Sequence, residues 1–131
     1  MPNLNLGLAI MLSALPFAVI ADPSLECSID LERQVEIADC VAEEETTVDK
    51  TIELAFGFAM TAAKEMDEIT GREVAVAALV QGQSAWFGYR DAHCEYIGST
   101  FGGGSGTGIA IHSCRVELGR ARVTELMNYA Q

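Results

Sequence analysis

Positively charged residues are scarce in this chain of 131 residues. It has 8 lysines and arginines against 19 aspartates and glutamates, which gives a net charge of −11 at pH 7. A chain with this balance repels nucleic acids and anionic membrane surfaces, and it attracts basic partners. The composition therefore argues against a nucleic-acid-binding protein. It leaves two interpretations of the acidity, which are recognition of a basic partner and solubility alone.

Charged side chains are absent from residues 1–21, an apolar stretch that ends in Val19-Ile20-Ala21. An apolar run followed by small residues is typical of a secretory signal peptide. We predict cleavage before Asp22, so that residues 22–131 form one periplasmic or secreted domain without stable membrane insertion. The alternative is an uncleaved membrane anchor, but the run is barely long enough to cross about 30 Å of hydrocarbon. Every charged residue follows Ala21, so the processed chain keeps the whole net charge.

Cysteine occurs only four times, and no two cysteines have the Cys-x-x-Cys spacing. An even number of cysteines in an exported chain predicts two disulfides, for which three pairings are possible. The spacing favours Cys27–Cys40 and Cys94–Cys114, because each pair flanks a short segment in which the chain reverses direction. Closing either loop would stabilise the fold by roughly 3 kcal/mol.

The alternation of apolar and polar residues that is typical of strands is absent, whereas apolar residues recur at spacings of three and four. The pattern predicts a short helix over Asp30–Cys40 and long helices over Val41–Ile69, Arg72–Tyr96 and Ile109–Tyr129. The predicted fold is all-α, an antiparallel three-helix bundle with a short disulfide-stapled N-terminal helix. The predicted core positions are Val48, Ile52, Ala55, Phe56, Ala59, Ala63 and Met66, then Val76, Leu79, Val80, Gln83, Trp86, Phe87, Arg90 and Cys94, then Ile111, Cys114, Leu118, Ala121, Arg122 and Leu126.

Residues 98–108 contain most of the glycines of the second half of the chain, and we predict that they form a flexible loop. A phosphate-binding loop is excluded here, because neither Gly-Lys-Ser/Thr nor a preceding strand is present. A surface loop tied at both ends is also a candidate contact site. Its candidate contact residues are Phe101, Ser105 and Thr107.

Recognisable catalytic and metal-binding patterns are missing. The two histidines, His93 and His112, stand beside cysteines and not at a ligand spacing, which argues against a structural zinc. Neither histidine belongs to a Ser/His/Asp arrangement, and the four cysteines are accounted for by disulfides. We therefore predict a protein that is not an enzyme and that holds no metal and no cofactor.

One segment places polar residues on an apolar helix face. Gln83, Trp86 and Arg90 share this face, and the spacing of the last helix also turns Arg122 inward. A buried arginine needs a partner. The candidate partners are Asp49, Asp91, Glu95 and Glu125, or the carbonyl groups at a helix C-terminus. The two arginines form either a carboxylate-binding pair or a structural clamp that sets the helix register, and we favour a clamp made of Gln83, Trp86, Arg90, Asp91 and Arg122.

Four sequence blocks carry a family resemblance. They are Gln34-x-Glu36-Ile37-x-x-Cys40, Asp49-x-x-Ile52, Gln83-x-x-Trp86-x-x-Tyr89-Arg90-Asp91-x-x-Cys94 and Cys114-x3-Leu118-x3-Arg122-x3-Leu126. Together they resemble the LprI-like lysozyme-inhibitor N-terminal domain family over nearly all of residues 27–126. The chain departs from the family pattern at Gly119, where threonine is usual, and at Phe56, where tyrosine is usual nearby. The resemblance implies an all-helical exported domain with paired cysteines, and inhibition of lysozyme.

The leading functional hypothesis is therefore a periplasmic binding protein that inhibits lysozyme or a related cell-wall hydrolase by occlusion. Lysozymes of the C type are basic, so the acidic chain would be steered towards one. The predicted contact surface combines the glycine-rich loop with the acidic helix face of Glu43, Glu44, Glu45 and Glu53. The alternative is a scaffold or binding module for another envelope protein or a small ligand, with its site near Arg90 and Arg122.

Overall fold

The computed structural model describes residues 22–130, and this part of the chain contains helices and no strand. The helices are α1 (Pro23–Cys27), α2 (Gln34–Thr70), α3 (Ala75–Ser99) and α4 (Gly106–Asn128). The predicted all-α class is confirmed. The predicted signal peptide, residues 1–21, lies outside the described residues.

Both predicted disulfides are confirmed. Cys27, the last residue of α1, is bonded to Cys40 in α2, and Cys94 in α3 is bonded to Cys114 in α4. The first bond holds the short α1 against the bundle, and the second joins two long helices near the glycine-rich connection. A helix of only five residues is not stable alone in water, so α1 depends on this attachment.

The predicted boundary at Cys40 does not exist, because residues 34–70 form one helix of 37 residues. No proline or turn sequence interrupts this stretch, and the fully buried Val41 continues the core stripe across the expected break. The short N-terminal helix is therefore Pro23–Cys27 and not Asp30–Cys40. Asp22 caps its N-terminus, because its side chain accepts a hydrogen bond from the backbone N–H of Ser24, and the helix starts with a proline.

The connection between α2 and α3 is held by Asp67. Its carboxylate, near the end of α2, accepts backbone N–H groups from Val74, Ala75 and Val76 at distances of 3.1, 2.8 and 3.1 Å. These are the N–H groups at the start of α3, which have no partner within the helix. Gly71 ends α2 in the left-handed conformation with φ 63°, as is common for a glycine after a helix.

Replacement of Asp67 by alanine is expected to lower the melting temperature by several degrees at neutral pH. The three N–H groups, that of Ala75 foremost, lower the pKa of Asp67 below its ordinary value of 3.8. Because the folded-state pKa is depressed, the stabilisation is present above pH 3.8 and is lost as the pH falls through the lower folded-state value. The difference in melting temperature between wild type and D67A should therefore shrink below about pH 4. The neighbouring exposed Glu68→Ala is the control, and an equal pH-dependent effect there would contradict the capping role.

Contacts along the chain define the directions of the long helices. Asp67 of α2 meets the start of α3, whereas Asp49 of α2 meets Arg90 further along α3. The order of these contacts shows that α3 runs opposite to α2. The disulfide Cys94–Cys114 and the contact of Gln83 with Arg122 likewise show that α3 runs opposite to α4. The largest helix interface is that between α2 and α4, which run in the same direction.

The core lies between α2 and α4, where Ile52, Ala55, Ala59 and Leu126 pack together. Four predicted core positions are wrong, because Met66, Val80, Phe87 and Ala121 are exposed. Val80, Phe87 and Ala121 lie towards the margins of their stripes, whereas Met66 is in line with the buried Ala59 but lies near the C-terminal end of α2, where it lines an open groove. Other buried positions were missed on α4, which contacts α1, α2 and α3 and so is covered on several sides. These are Ala110, Ser113, Val116 and Gly119.

The glycine-rich loop is shorter than predicted, because α3 continues to Ser99 and α4 starts at Gly106. The loop is residues 100–105, in which Gly102 and Gly103 have φ of 68° and 79°. Gly98 is helical and buried, and a Cβ atom at this position would overlap the side chain of Ile111. Glycine is thus used at this end of the molecule for close packing of α3 on α4 as well as for the turn.

Candidate functional site

Arg90 lies between α2 and α3 with its side chain only 6% exposed. Its Nη1 atom donates to Oδ1 of Asp49 at 2.6 Å, and the guanidinium lies 5.1 Å from the ring centre of Trp86 and 5.2 Å from that of Phe87. A desolvated cation above an aromatic face is stabilised by the ring quadrupole. Arg90 thus forms an ion pair that links α3 to α2, and it also contacts the aromatic side chains of its own helix.

Arg122 of α4 lies beside the same tryptophan, 5.8 Å from its ring centre. Its Nε atom donates to Oε1 of Gln83 at 2.9 Å, and its Nη1 atom donates to Oε2 of Glu125 at 2.7 Å. The structure therefore brings Gln83, Trp86, Arg90 and Arg122 together. Both arginines already have carboxylate partners from within the chain, which favours the clamp interpretation over a free carboxylate-binding pair.

Asp91 is not part of this cluster. Its carboxylate is 60% exposed and lies 3.6 Å from Arg115 of α4, which also contacts Glu95 at 3.3 Å. Asp91 follows Arg90 directly, so it projects about 100° away from it around α3. Of the four predicted partner carboxylates, Asp49 and Glu125 therefore pair with Arg90 and Arg122, and the other two pair with Arg115.

The acidic run at residues 43–45 does not start a helix and does not form one solvent-facing site. It follows nine residues of α2 and points in three directions around it. Glu45 pairs with His112 and lies 3.6 Å from Arg115, while Glu44 lies 3.3 Å from Arg120. Only Glu43 of the three is exposed.

Arg120 ties α1 to α4, a role that no sequence pattern predicted. Its Nη1 and Nη2 atoms donate to Oε1 and Oε2 of Glu26 at 3.0 and 2.9 Å, in a two-point pairing. The hydrogen bond from Arg120 lowers the pKa of Glu26, and the same contact raises the pKa of Arg120. Residues 26 and 120 are far apart in the chain, and their proximity depends on how the disulfide Cys27–Cys40 positions α1.

The predicted contact surface is divided in the structure. The loop lies at the start of α2, where the Ser105 hydroxyl donates to Oε1 of Gln34. Glu53 is exposed on the same helix nineteen residues after Gln34, which corresponds to about 28 Å along the axis. Phe101 is 54% exposed, whereas the hydroxyl of Thr107 is buried. The loop and Glu53 therefore do not form one continuous surface.

The negative charge is concentrated towards the N-terminal part of the domain. Residues 22–53 hold eleven of the nineteen acidic residues and two of the eight basic residues. Several of these acidic side chains are exposed and belong to no ion pair among the described residues. They are Asp30, Glu32, Asp39 and Glu43. This end of the molecule, made by α1, the connection that follows it and the first turns of α2, is here called the acidic end.

Two grooves open on the surface. The first, about 560 Å³, lies between α1 and the C-terminal part of α3, with α4 as its floor. We call it the α1 groove. The second, about 810 Å³, lies at the opposite end, between the C-terminal parts of α2 and α4 and the start of α3. Met66, Ile69 and Tyr129 line the second groove together with Arg122.

Within residues 22–130, no group of three or more His, Cys, Asp and Glu side chains is placed to hold a metal ion. None of the helices in this range combines the length and the apolar character that crossing a membrane requires.

Comparison with known proteins decides the family. A model of the family described as lysozyme inhibitor LprI matches residues 26–126, which include all four cysteines, the clustered Gln83, Trp86, Arg90 and Arg122, and α2, α3 and nearly all of α4. The chain belongs to the LprI family. At Gly119, a position of close contact between α4 and α2, an added Cβ atom would lie 3.0 Å from the side chain of Val48, so a larger residue requires that side chain to move by a few tenths of an ångström.

An uncharacterized protein of Rhizobium meliloti (strain 1021) is 36% identical over 80 residues. The matched region is 60% of this chain and 58% of that relative's length. No solved structure matches the chain. The LprI assignment therefore rests on the family match and on the disulfide-linked helices that it covers.

Proposed function

We propose that this LprI-family protein is exported to the periplasm or secreted, where it binds and inhibits a lysozyme or related cell-wall hydrolase. It acts by stoichiometric occlusion and not by chemistry. The observation that carries the proposal is the family match over residues 26–126, which spans nearly the whole described domain. Two disulfides within that region support an oxidising compartment, where such bonds persist.

The distribution of negative charge on the domain supports a partner protein with a net positive charge. The acidic end concentrates negative charge on a part of the molecule that is fixed by Cys27–Cys40 and by the pairing of Arg120 with Glu26. Fixed charge of one sign raises association rates with an oppositely charged protein by roughly 10-fold to 1,000-fold, depending on salt. We therefore place the first encounter with the hydrolase at the acidic end.

The test is lysis of a cell-wall suspension by a basic C-type lysozyme in the presence of the purified domain. We expect inhibition that saturates near one inhibitor per enzyme. We also expect association to slow at least about 10-fold between about 20 and 300 mM salt, because the Debye length falls below 10 Å. Undiminished lysis at a large molar excess in low salt would overturn inhibition of this enzyme class.

A pair of charge variants locates the encounter surface. One replaces three exposed carboxylates of the acidic end, as Asp30→Asn, Asp39→Asn and Glu43→Gln. The matched control removes three exposed charges from the other half, as Glu65→Gln, Glu68→Gln and Glu73→Gln. Slower association is expected for the first variant alone, and an equal change in both would mean that only the net charge matters.

The second groove favours one other candidate function. An apolar ligand carrying a carboxylate would find apolar walls from Met66 and Ile69 and the guanidinium of Arg122 at the edge. Arg122 is already bonded to Gln83 and Glu125, so such a ligand would have to displace Glu125. Calorimetric titration with a medium-chain fatty acid tests this candidate, with Arg122→Gln as the comparison.

A further inference from the structure

The α1 groove combines an apolar floor with an anionic mouth. Ile97 of α3 and Ile109 and Leu118 of α4 supply apolar side chains, and Asp22 and Glu117 supply carboxylates. A concave site with mostly apolar walls and a few polar groups, at a volume of about 560 Å³, has the properties of a binding pocket. No lysine or arginine is among the described residues that line it.

Glu117 is a partly buried carboxylate that forms no ion pair within residues 22–130. Burial raises its pKa, and the nearby carboxylate of Asp22 raises it further. The guanidinium of Arg120 opposes this rise of the pKa, but it is already held by Glu26 and Glu44. A second cation near Glu117 would therefore be stabilised by a charge that the fold leaves uncompensated.

Ser113 gives the groove a second polar group. It is only 7% exposed, and its hydroxyl has no hydrogen-bond partner among the described residues. Ser113 and Glu117 are four residues apart on α4, so they lie on one face of this helix. Buried hydroxyls are usually hydrogen-bonded, so the hydroxyl of Ser113 is an unsatisfied polar group beside the groove.

We propose that the α1 groove receives a lysine or arginine side chain of the basic partner protein. The methylene stem of that side chain packs on Ile97 and Leu118, and its cationic end lies between Glu117 and Asp22. A long basic side chain has this division between an apolar stem and a charged end. The inference rests on the proposed function for the identity of the partner, whereas the chemistry of the groove stands independently of it.

The first experiment compares affinities for the hydrolase. Asp22→Asn with Glu117→Gln removes the two groove charges while keeping side-chain size, and asparagine still serves as an N-cap for α1. The control, Glu65→Gln with Glu68→Gln, makes the same change in net charge away from the groove. We expect an affinity loss of at least about 10-fold for the groove variant and less than about 3-fold for the control. Equal losses, with unchanged melting temperatures, would overturn the proposal.

The second experiment needs no hydrolase. The carboxyl group of Glu117 is titrated by NMR with and without n-butylguanidinium chloride as the probe. We expect the pKa of Glu117 to lie above its ordinary value of 4.5 in the free protein and to fall when the probe is added. Chemical-shift changes should centre on Ile97, Ser113 and Leu118.

Two results of this titration would overturn the proposal. One is the absence of any probe-dependent shift at Glu117. The other is a low pKa of Glu117 in the free protein processed before Asp22, since the new α-ammonium group would then occupy the mouth itself. If the probe binds but the domain does not inhibit lysis, the proposed function is rejected and the α1 groove remains a binding site for a basic side chain. If the domain inhibits lysis but neither the probe nor the groove variant has an effect, only the role of the α1 groove is rejected.

Discussion

Replacing Cys94 and Cys114 together by alanine is expected to lower the free energy of unfolding by about 3 kcal/mol or more. Loss of the crosslink accounts for about 3 kcal/mol through the greater conformational freedom of the unfolded chain. Cys94 is fully buried, so removal of its sulfur also leaves a small cavity between α3 and α4. Urea unfolding followed by circular dichroism measures the change.

The matched variant replaces Cys27 and Cys40 by alanine. This bond closes a shorter loop, with a sequence separation of 13 residues compared with 20, and it attaches only α1 and the connection that follows it. We expect hydrogen exchange to increase first in residues 22–33, with α3 and α4 still protected. Equal loss of protection throughout the bundle would contradict the local role of this disulfide.

Replacing Asp49 by alanine is expected to lower the free energy of unfolding by about 2–3 kcal/mol, because it leaves the buried guanidinium of Arg90 without its carboxylate. This expected loss of stability is smaller than the loss for a fully buried ion pair, because Asp49 is 41% exposed and water replaces part of the interaction. The single tryptophan, Trp86, lies against Arg90 and reports the change by fluorescence during unfolding.

A double-mutant cycle separates the pair from its surroundings. Arg90→Met combined with Asp49→Ala removes both charges and keeps an unbranched side chain over Trp86, so part of the stability should return. Glu95→Ala, which removes a predicted partner that instead contacts Arg115, is the control and should change stability little. If D49A were as stable as wild type but failed to inhibit lysis, Arg90 would belong to a binding site and not to a clamp.

Sequence periodicity predicted the helical class well, but it placed several helix boundaries wrongly, most of all the one at Cys40. Between Gln34 and Thr70 no residue forbids a continuous helix, and no helix-ending signal accompanies the predicted division at Cys40. A disulfide formed from within a helix does not end it, because only the side chain is involved. By contrast, Gly71 marked the end of α2 correctly, since glycine readily adopts the left-handed conformation found there.

The candidate site was only partly accessible to sequence reasoning. Helical spacing was sufficient to turn Arg90 and Arg122 towards Trp86, and it reduced their partners to four carboxylates. It could not choose Asp49 and Glu125 among them, since that choice depends on the register of α3 against α2 and on side-chain direction. The α1 groove was missed altogether, because Asp22 and Glu117 come together only when α1 folds back on α4.

The amino-acid sequence alone determined the properties that depend on composition and local spacing: the helical class, the two cysteine pairs, the inward direction of Arg90 and Arg122, and the net negative charge. The tertiary structure decided which charges are neutralised and which remain available. Arg115 and Arg120 engage Glu45 and Glu44, so most of the predicted acidic run is used internally, while Glu117 pairs with no cation in the described part of the chain. Ion pairing depends on distances of a few ångströms between residues far apart in the chain, and only the packing of the helices sets those distances.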